Sequence, residues 1–219
     1  MYYAIGDCHG HIQPLRALVE AIPLEASDNL VLLGDYIDHG PASRDVLDYL
    51  IRLRHQPNVH CLIGNHELMM LGAAEDPDIE REWRRQGGEQ TLSSLGVSTA
   101  RAIPSRYLTF LRECLPLLST RDALFVHAGV NHHKPLGRQT EEELYWQHHQ
   151  SPYRLADGRR IVSAHTPRSQ PLITDHFVGL DTGMGQGGPL TCIALETNSY
   201  RQADAKGGLT PWLPVAAVA

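Results

Sequence analysis

The sequence predicts an α/β fold, and three observations carry that expectation. Short apolar runs stop again and again at a glycine followed by a polar residue, the mark of buried strands ending at turns. Amphipathic helical patterns fill the gaps between the first three runs. The resulting β-α-β-α-β order implies neighbouring parallel strands joined by right-handed crossovers.

The first strand is expected over Tyr2–Ile5, stopping at Gly6-Asp7. A helix follows from Pro14, with Leu15, Leu18, Val19 and Ile22 on one face. Proline suits a first turn because its missing N–H would have had no partner there. The second strand, Leu30–Leu33, stops at Gly34-Asp35, and Ser43 is placed to cap a helix bearing Val46, Leu47, Leu50 and Ile51. A strand over Val59–Ile63 runs into Gly64-Asn65, Ala123–Val126 runs into His127, and Ile161–Ser163 precedes His165. Phe177–Asp181 and Leu190–Leu195 are expected as antiparallel strands closing a second sheet. No proline/glycine linker or internal repeat divides the chain, so residues 1–210 read as one domain and 211–219 as a loosely attached tail.

Composition removes several classes. With 219 residues, 42% of them hydrophobic and 20% charged, the chain can bury a core without disulfide staples and is neither fibrous nor disordered. A formal charge of −6 argues against general nucleic-acid binding. No run approaches the roughly 18 apolar residues of a membrane span. Residues 1–7 leave no room for a secretory signal, and the four cysteines form no CxxC pair, so a cytoplasmic protein with reduced thiols and no membrane partner is expected. Cys8, between Asp7 and His9, is read as structural.

Thirteen histidines stand against three phenylalanines and three tryptophans. Histidine is the commonest metal ligand and the near-neutral proton carrier. Open α/β sheets bind ligands at the carboxyl ends of their strands, and five such ends here carry Asp7, His9, Asp35, Asn65, His127 and His165. Two divalent cations held about 3.5–4 Å apart need a shared anionic oxygen within a cage of imidazole and carboxylate. Asp7 and His9, two residues apart, can reach one ion, and Asp35 can bridge. Asn65 offers an amide oxygen, with His66 an unattached imidazole beside it, and His127 and His165 complete a second cage. Nitrogen and oxygen ligands without thiolate favour manganese foremost, with iron or zinc as alternatives.

The blocks Gly6–Gly10, Gly34–Gly40, Gly64–Glu67, His127–Gly129 and His165-Thr166 resemble, in order, the signatures of the phosphoprotein phosphatase branch of calcineurin-like metallophosphoesterases. Small bacterial and phage serine/threonine phosphatases are the nearest look-alikes. Residues 86–96, 139–146, 180–183 and 188–191 add similarity, which covers about residues 1–196. The resemblance implies a sandwich of two mixed β-sheets flanked by helices. It implies a first metal on Asp7, His9 and Asp35, and a second on Asp35, Asn65, His127 and His165. Metal-bound hydroxide would attack phosphorus in line, His66 would protonate the leaving group and Asp38 would orient His66. Glu67 is read as helix-capping support.

Two positions depart from that pattern. The family's Asp-Arg-Gly is here Asp38-His39-Gly40, and the arginine expected two residues after Trp146 is His148. Both phosphate clamps are thus read as histidines, each offering one donor where arginine offers a permanently charged fork. The substrate implied by the resemblance is a phosphomonoester, phosphoserine or phosphothreonine in a protein, or a small phosphorylated molecule. The histidines keep alternatives open: a diadenosine polyphosphate hydrolase or phosphodiesterase, or a metal-binding regulatory protein that has lost turnover. Arg81, Arg84 and Arg85 alternate with Glu80 and Glu82 and read as a solvated helix face.

Overall fold

The computed structural model describes residues 1–149 and 151–215. Eleven short strands and six α-helices run in the order β1 (Tyr2–Ile5), α1 (Ile12–Ala21), β2 (Asn29–Leu32), α2 (Ser43–Leu53), β3 (Val59–Cys61), α3 (Asn65–Ala73), α4 (Pro77–Trp83), α5 (Glu89–Leu95), α6 (Ser105–Arg112), β4 (Leu117–Ser119), β5 (Ala123–Val126), β6 (Arg160–Ser163), β7 (Leu172–Ile173), β8 (Phe177–Gly179), β9 (Leu190–Ala194), β10 (Ser199–Ala203) and β11 (Leu213–Pro214). They form two mixed sheets, β11-β10-β9-β1-β2-β3 and β4-β5-β6-β8-β7. The expected α/β sandwich of two mixed sheets is the fold observed.

The alternation of side chains along each strand explains the layering. In β1 and β2, Ala4, Val31 and the following Leu33 meet Phe125, Val162 and Val178 of the second sheet. Their neighbours Ile5, Leu30 and Leu32 face the helices, packing with Leu15, Leu18, Val46 and Leu50. The outer face of the second sheet, with Leu124, Val126 and Ile161, is covered by Val130, Tyr153 and Leu155. Strands apolar on both faces are therefore buried on both faces.

Several local expectations change. β8 pairs parallel with β6, and β9 joins the first sheet antiparallel to β1, so Phe177–Asp181 and Leu190–Leu195 belong to different sheets. α1 starts at Ile12, with Pro14 still inside its first turn. Ser43 is not the cap of α2; that position is Ala42, without a side-chain bond. The Ser43 hydroxyl instead accepts from the Asp38 N–H at 3.2 Å. The tail from Pro211 is tied in at its start, where Leu213–Pro214 pairs with β10 and Trp212 lies against Tyr3. Residues 216–219 fall outside the described residues.

Candidate metal centre and active site

The ends of β1, β2, β3, β5 and β6 converge. Asp7, His9 and Asp35 bring ligand atoms within 4.8 Å of one another, as do Asp35, His127 and His165. Asp35 belongs to both groups. Among the described residues, five of the six non-glycine residues with left-handed backbone are His9, Asp35, Asp38, His39 and His165. That conformation is costly for any side chain with a Cβ, and its concentration here aims these groups into one space.

Backbone carbonyls fix which ring nitrogen faces inward. A carbonyl can only accept, so His9 donates from Nδ1 to Ile37 O (2.9 Å) and His127 from Nδ1 to Leu33 O (2.8 Å). Both present Nε2 to the centre. His165 donates from Nε2 to Trp146 O (3.1 Å) and presents Nδ1. The Nε2 of His127 then confronts Asp35 Oδ1 at 3.4 Å and Asn65 Oδ1 at 3.0 Å. Lone pairs converging from an imidazole, a carboxylate and an amide call for a cation between them.

Electrostatics agree with that requirement. Burial, chiefly, lowers His9 to about 3 and His165 to about 4, so both rings are neutral donors near neutral pH. Burial also pushes Asp35 upward, but the imidazoles of His127, His66, His9 and His165 outweigh it and hold the carboxyl well below its ordinary range. Asp7 is pushed well up, first by burial and then by the charges of Asp181 and Asp35. Its Oδ2 accepts from the His165 N–H at 3.0 Å, while its buried Oδ1 has no hydrogen-bond partner among the described residues. An orphaned carboxylate oxygen inside this donor set fits a metal ligand, and the residues present fit two divalent ions sharing Asp35.

His66 lies in the first turn of α3, with Nδ1 2.7 Å from Asp38 Oδ2 and Nε2 3.9 Å from Asp35 Oδ2. Burial opposes its charge, but Asp35 and Asp38 prevail and raise it to about 9. Glu67 caps the same helix start and accepts from the N–H groups of Gly64, Asp35 and Tyr36. It braces the turn that carries Asp35, in keeping with the supporting role expected for it. Cys8 is buried, its thiol pushed well up by desolvation, which makes it inert.

His39 and His148 both lie at the site. His39 packs edge-on against His9 and His66, with ring centroids 4.8 and 5.2 Å away. His148 stacks on His165 at 4.5 Å. Both line a cleft of about 250 Å³ with Gln86, Trp146 and the metal-cage residues. Among the described residues lining it there is no arginine or lysine.

Two contributors were not singled out from the sequence. Trp83 sits in the segment read as a solvated face, yet it is fully buried and its indole N–H donates to Asp38 Oδ2 at 2.8 Å. An indole within an otherwise charged run was the available signal. Arg81 and Arg85 in that segment do face solvent. Asp181, just beyond β8, is a further buried acid at the sheet edge and lines the cleft. Its signal was the Leu180-Asp-Thr-Gly183 block, which ends a strand like the others.

A family model described as calcineurin-like phosphoesterase matches residues 2–185. The chain belongs to the calcineurin-like phosphoesterase family. It is a metallophosphoesterase and a hydrolase. Its relatives include symmetrical bis(5'-nucleosyl)-tetraphosphatases. That of Pseudomonas putida strain W619 is 32% identical over 142 residues, 64% of this chain and 46% of the relative. That of Pseudomonas fluorescens strain SBW25 is 40% identical over 131 residues, 58% of this chain and 42% of the relative. The matched stretch thus spans less than half of these relatives. In three dimensions, a structure provisionally assigned as a diadenosine tetraphosphatase overlays with TM-score 0.73 at 22% identity, covering 93% of this chain and 92% of the other. A serine/threonine phosphatase of Saccharomyces cerevisiae overlays with TM-score 0.60 at 14% identity, covering 89% and 72%. These overlays show the shared phosphoesterase fold. No helix among the described residues is long and apolar enough to cross a membrane.

Proposed function

We propose that this phosphoesterase hydrolyses dinucleoside polyphosphates, cutting a phosphoanhydride bond within the polyphosphate. The observation that carries this reading is the similarity to tetraphosphatases at 32–40% identity. It replaces phosphoserine and phosphothreonine, the substrates first expected.

The cleft's chemistry supports the same choice. A terminal phosphomonoester is a dianion, best held by a fixed guanidinium fork. Here the positions are His39 and His148, and partial burial lowers His39 further from its ordinary value. One neutral imidazole donor suits an internal phosphate with a single charge. The 250 Å³ cleft is smaller than the roughly 300–1,000 Å³ that encloses a drug-sized ligand. It encloses the reacting phosphate and leaves the nucleosides outside.

In this reading Asp7, His9 and Asp35 would hold one divalent ion, and Asp35, Asn65, His127 and His165 the other, with manganese foremost. When bound, such ions polarise phosphoryl oxygens and acidify water. His66 delivers a proton from Nε2 to the departing phosphate oxygen, while Asp38 keeps the Nδ1 proton and orients the ring. Water adds across the P–O–P bond, so diadenosine tetraphosphate cut at its centre gives two molecules of adenosine diphosphate.

The test is product analysis. Manganese-loaded protein incubated with diadenosine tetraphosphate should yield adenosine diphosphate alone on anion-exchange chromatography, and Asp35→Asn should yield none. Absence of turnover by the loaded wild type would remove the proposal. A mixture of mono- and triphosphate would move the cut to a different bond.

A further inference from the structure

One buried acid at the edge of the metal centre has no part in the ligand set described so far. Strands β6 and β8 run parallel, with Ser163 level with Gly179 and the Leu180 N–H donating to Ser163 O at 2.8 Å. Two residues beyond that level lie His165 on one chain segment and Asp181 on the other. Strand register alone therefore carries Asp181 to the edge that holds a metal-ligand candidate.

Close backbone packing then sets Asp181 beside Asp7. Gly6 precedes Asp7, and a Cβ there would come within 2.7 Å of Leu180 O. Only glycine permits the two turns to approach so closely. Asp181 is 4% exposed and lines the cleft together with Asp7, His9 and Asp35. It also bounds a smaller space with His9 and His39. Its Oδ1 accepts from the Gly183 N–H at 2.9 Å, and Thr182 Oγ1 donates to Pro189 O at 2.6 Å, so the turn that carries it is anchored.

Three carboxylates, Asp7, Asp35 and Asp181, thus meet inside the protein, and the charges of Asp181 and Asp35 both bear on Asp7. Buried like charges are tolerated where a partner or a metal ion compensates them. Among the described residues lining the cleft there is no arginine or lysine. The buried Oδ1 of Asp7 has no hydrogen-bond partner among the described residues, which itself points to a cation. The ligand assignment gives the first ion three groups, Asp7, His9 and Asp35, against four for the second. Asp181 shares its walls with Asp7 and His9, the two groups that serve the first ion alone.

We infer that Asp181 is a further acid of the metal centre, its buried charge strengthening the hold on the ion at the Asp7–His9 position. The inference rests on the two-ion assignment of the proposed function and extends it to a residue outside that set. Asp181 is a positioning residue: it supports the ion and takes no part in bond making or breaking.

Equilibrium dialysis of the full chain against graded free manganese, read by elemental analysis, tests this independently of turnover. Wild type should take up two ions. Asp181→Asn keeps an oxygen for the Gly183 N–H and removes only the charge. It should bind one ion about 10–100-fold more weakly, the usual effect of losing a residue that supports a metal's ligands, and the other ion unchanged. Asp181→Ala should weaken the same ion to a similar degree. In chelator, Asp181→Asn should melt no lower than wild type, while saturating manganese should raise its melting temperature by less. If Asp181→Asn holds both ions like wild type, whether or not Asp181→Ala or the melting temperature is affected, Asp181 serves the turn alone and the inference is overturned. Wild-type protein that takes up fewer than two ions would overturn the two-ion assignment and this inference with it.

Discussion

His66 Nδ1 lies 2.7 Å from Asp38 Oδ2, and that carboxylate is itself gripped from two other elements. Trp83 donates its indole N–H to the same oxygen at 2.8 Å, and Thr91 donates to Oδ1 at 2.6 Å. Helices α4 and α5 thus set the angle of a ring belonging to α3. Removing the indole donor by Trp83→Phe should cost about 1.5–3 kcal/mol of stability, as for a buried hydrogen bond to a charged group. It should also lower kcat by loosening His66. Denaturant titration and kinetics on the same sample check both; an unchanged kcat would separate Trp83 from the catalytic ring.

Replacing His66 itself should leave metal content intact. His66→Asn is expected to lose roughly 10²–10⁴ in turnover on substrates with alkoxide leaving groups, the usual contribution of a positioned acid. The loss on p-nitrophenyl phosphate should be smaller, because its leaving group needs little help. Equal losses on both would place His66 in binding instead of proton transfer.

Asp35 is shared between the two ligand groups. Asp35→Asn should weaken both ions together, whereas His165→Ala should release one first. Elemental analysis after dialysis reads this directly. One ion retained at full occupancy in Asp35→Asn would deny its bridging position.

His39 packs against both His9 and His66. His39→Arg should lower KM for p-nitrophenyl phosphate by restoring a fixed charge to the dianion. An unchanged or higher constant would take His39 off the phosphate.

A pH effect on stability follows from Glu143. Hydrogen bonds from Lys134 (2.6 Å), the Thr140 N–H (2.9 Å) and Asn131 (2.9 Å) hold it down at about 2, against an ordinary value of 4.5. A depressed carboxyl stabilises the fold above the unfolded value and loses that contribution as pH falls from 4.5 toward 2. Glu143→Gln should lower the melting temperature at pH 7 and flatten its decline over that acid window. A decline as steep as that of the wild type would rule Glu143 out.

How much was legible in the sequence depended on distance along the chain. The strand ends could be read because each apolar run stops at a glycine and a ligand-type residue, and the sheet places those ends together. Sheet membership could not: Leu190–Ala194 looks the same whether it pairs with β1 or with β8. Ser43 has the residue type of a helix cap, but its hydroxyl is drawn to Asp38 by a contact that exists only after folding. Trp83 was hidden because its neighbours are charged and its ring packs against Gly88, beyond the kink at Gln86 and Gly87, a contact that exists only after folding.

The most direct test of the account is the ratio of kcat/KM for diadenosine tetraphosphate to kcat/KM for a phosphoserine peptide, measured on one manganese-loaded preparation. A cleft lined by imidazoles, with no arginine or lysine among the described residues lining it, predicts a ratio well above one. A ratio below one, with the peptide turned over efficiently, would contradict it and return the chain to the protein phosphatases.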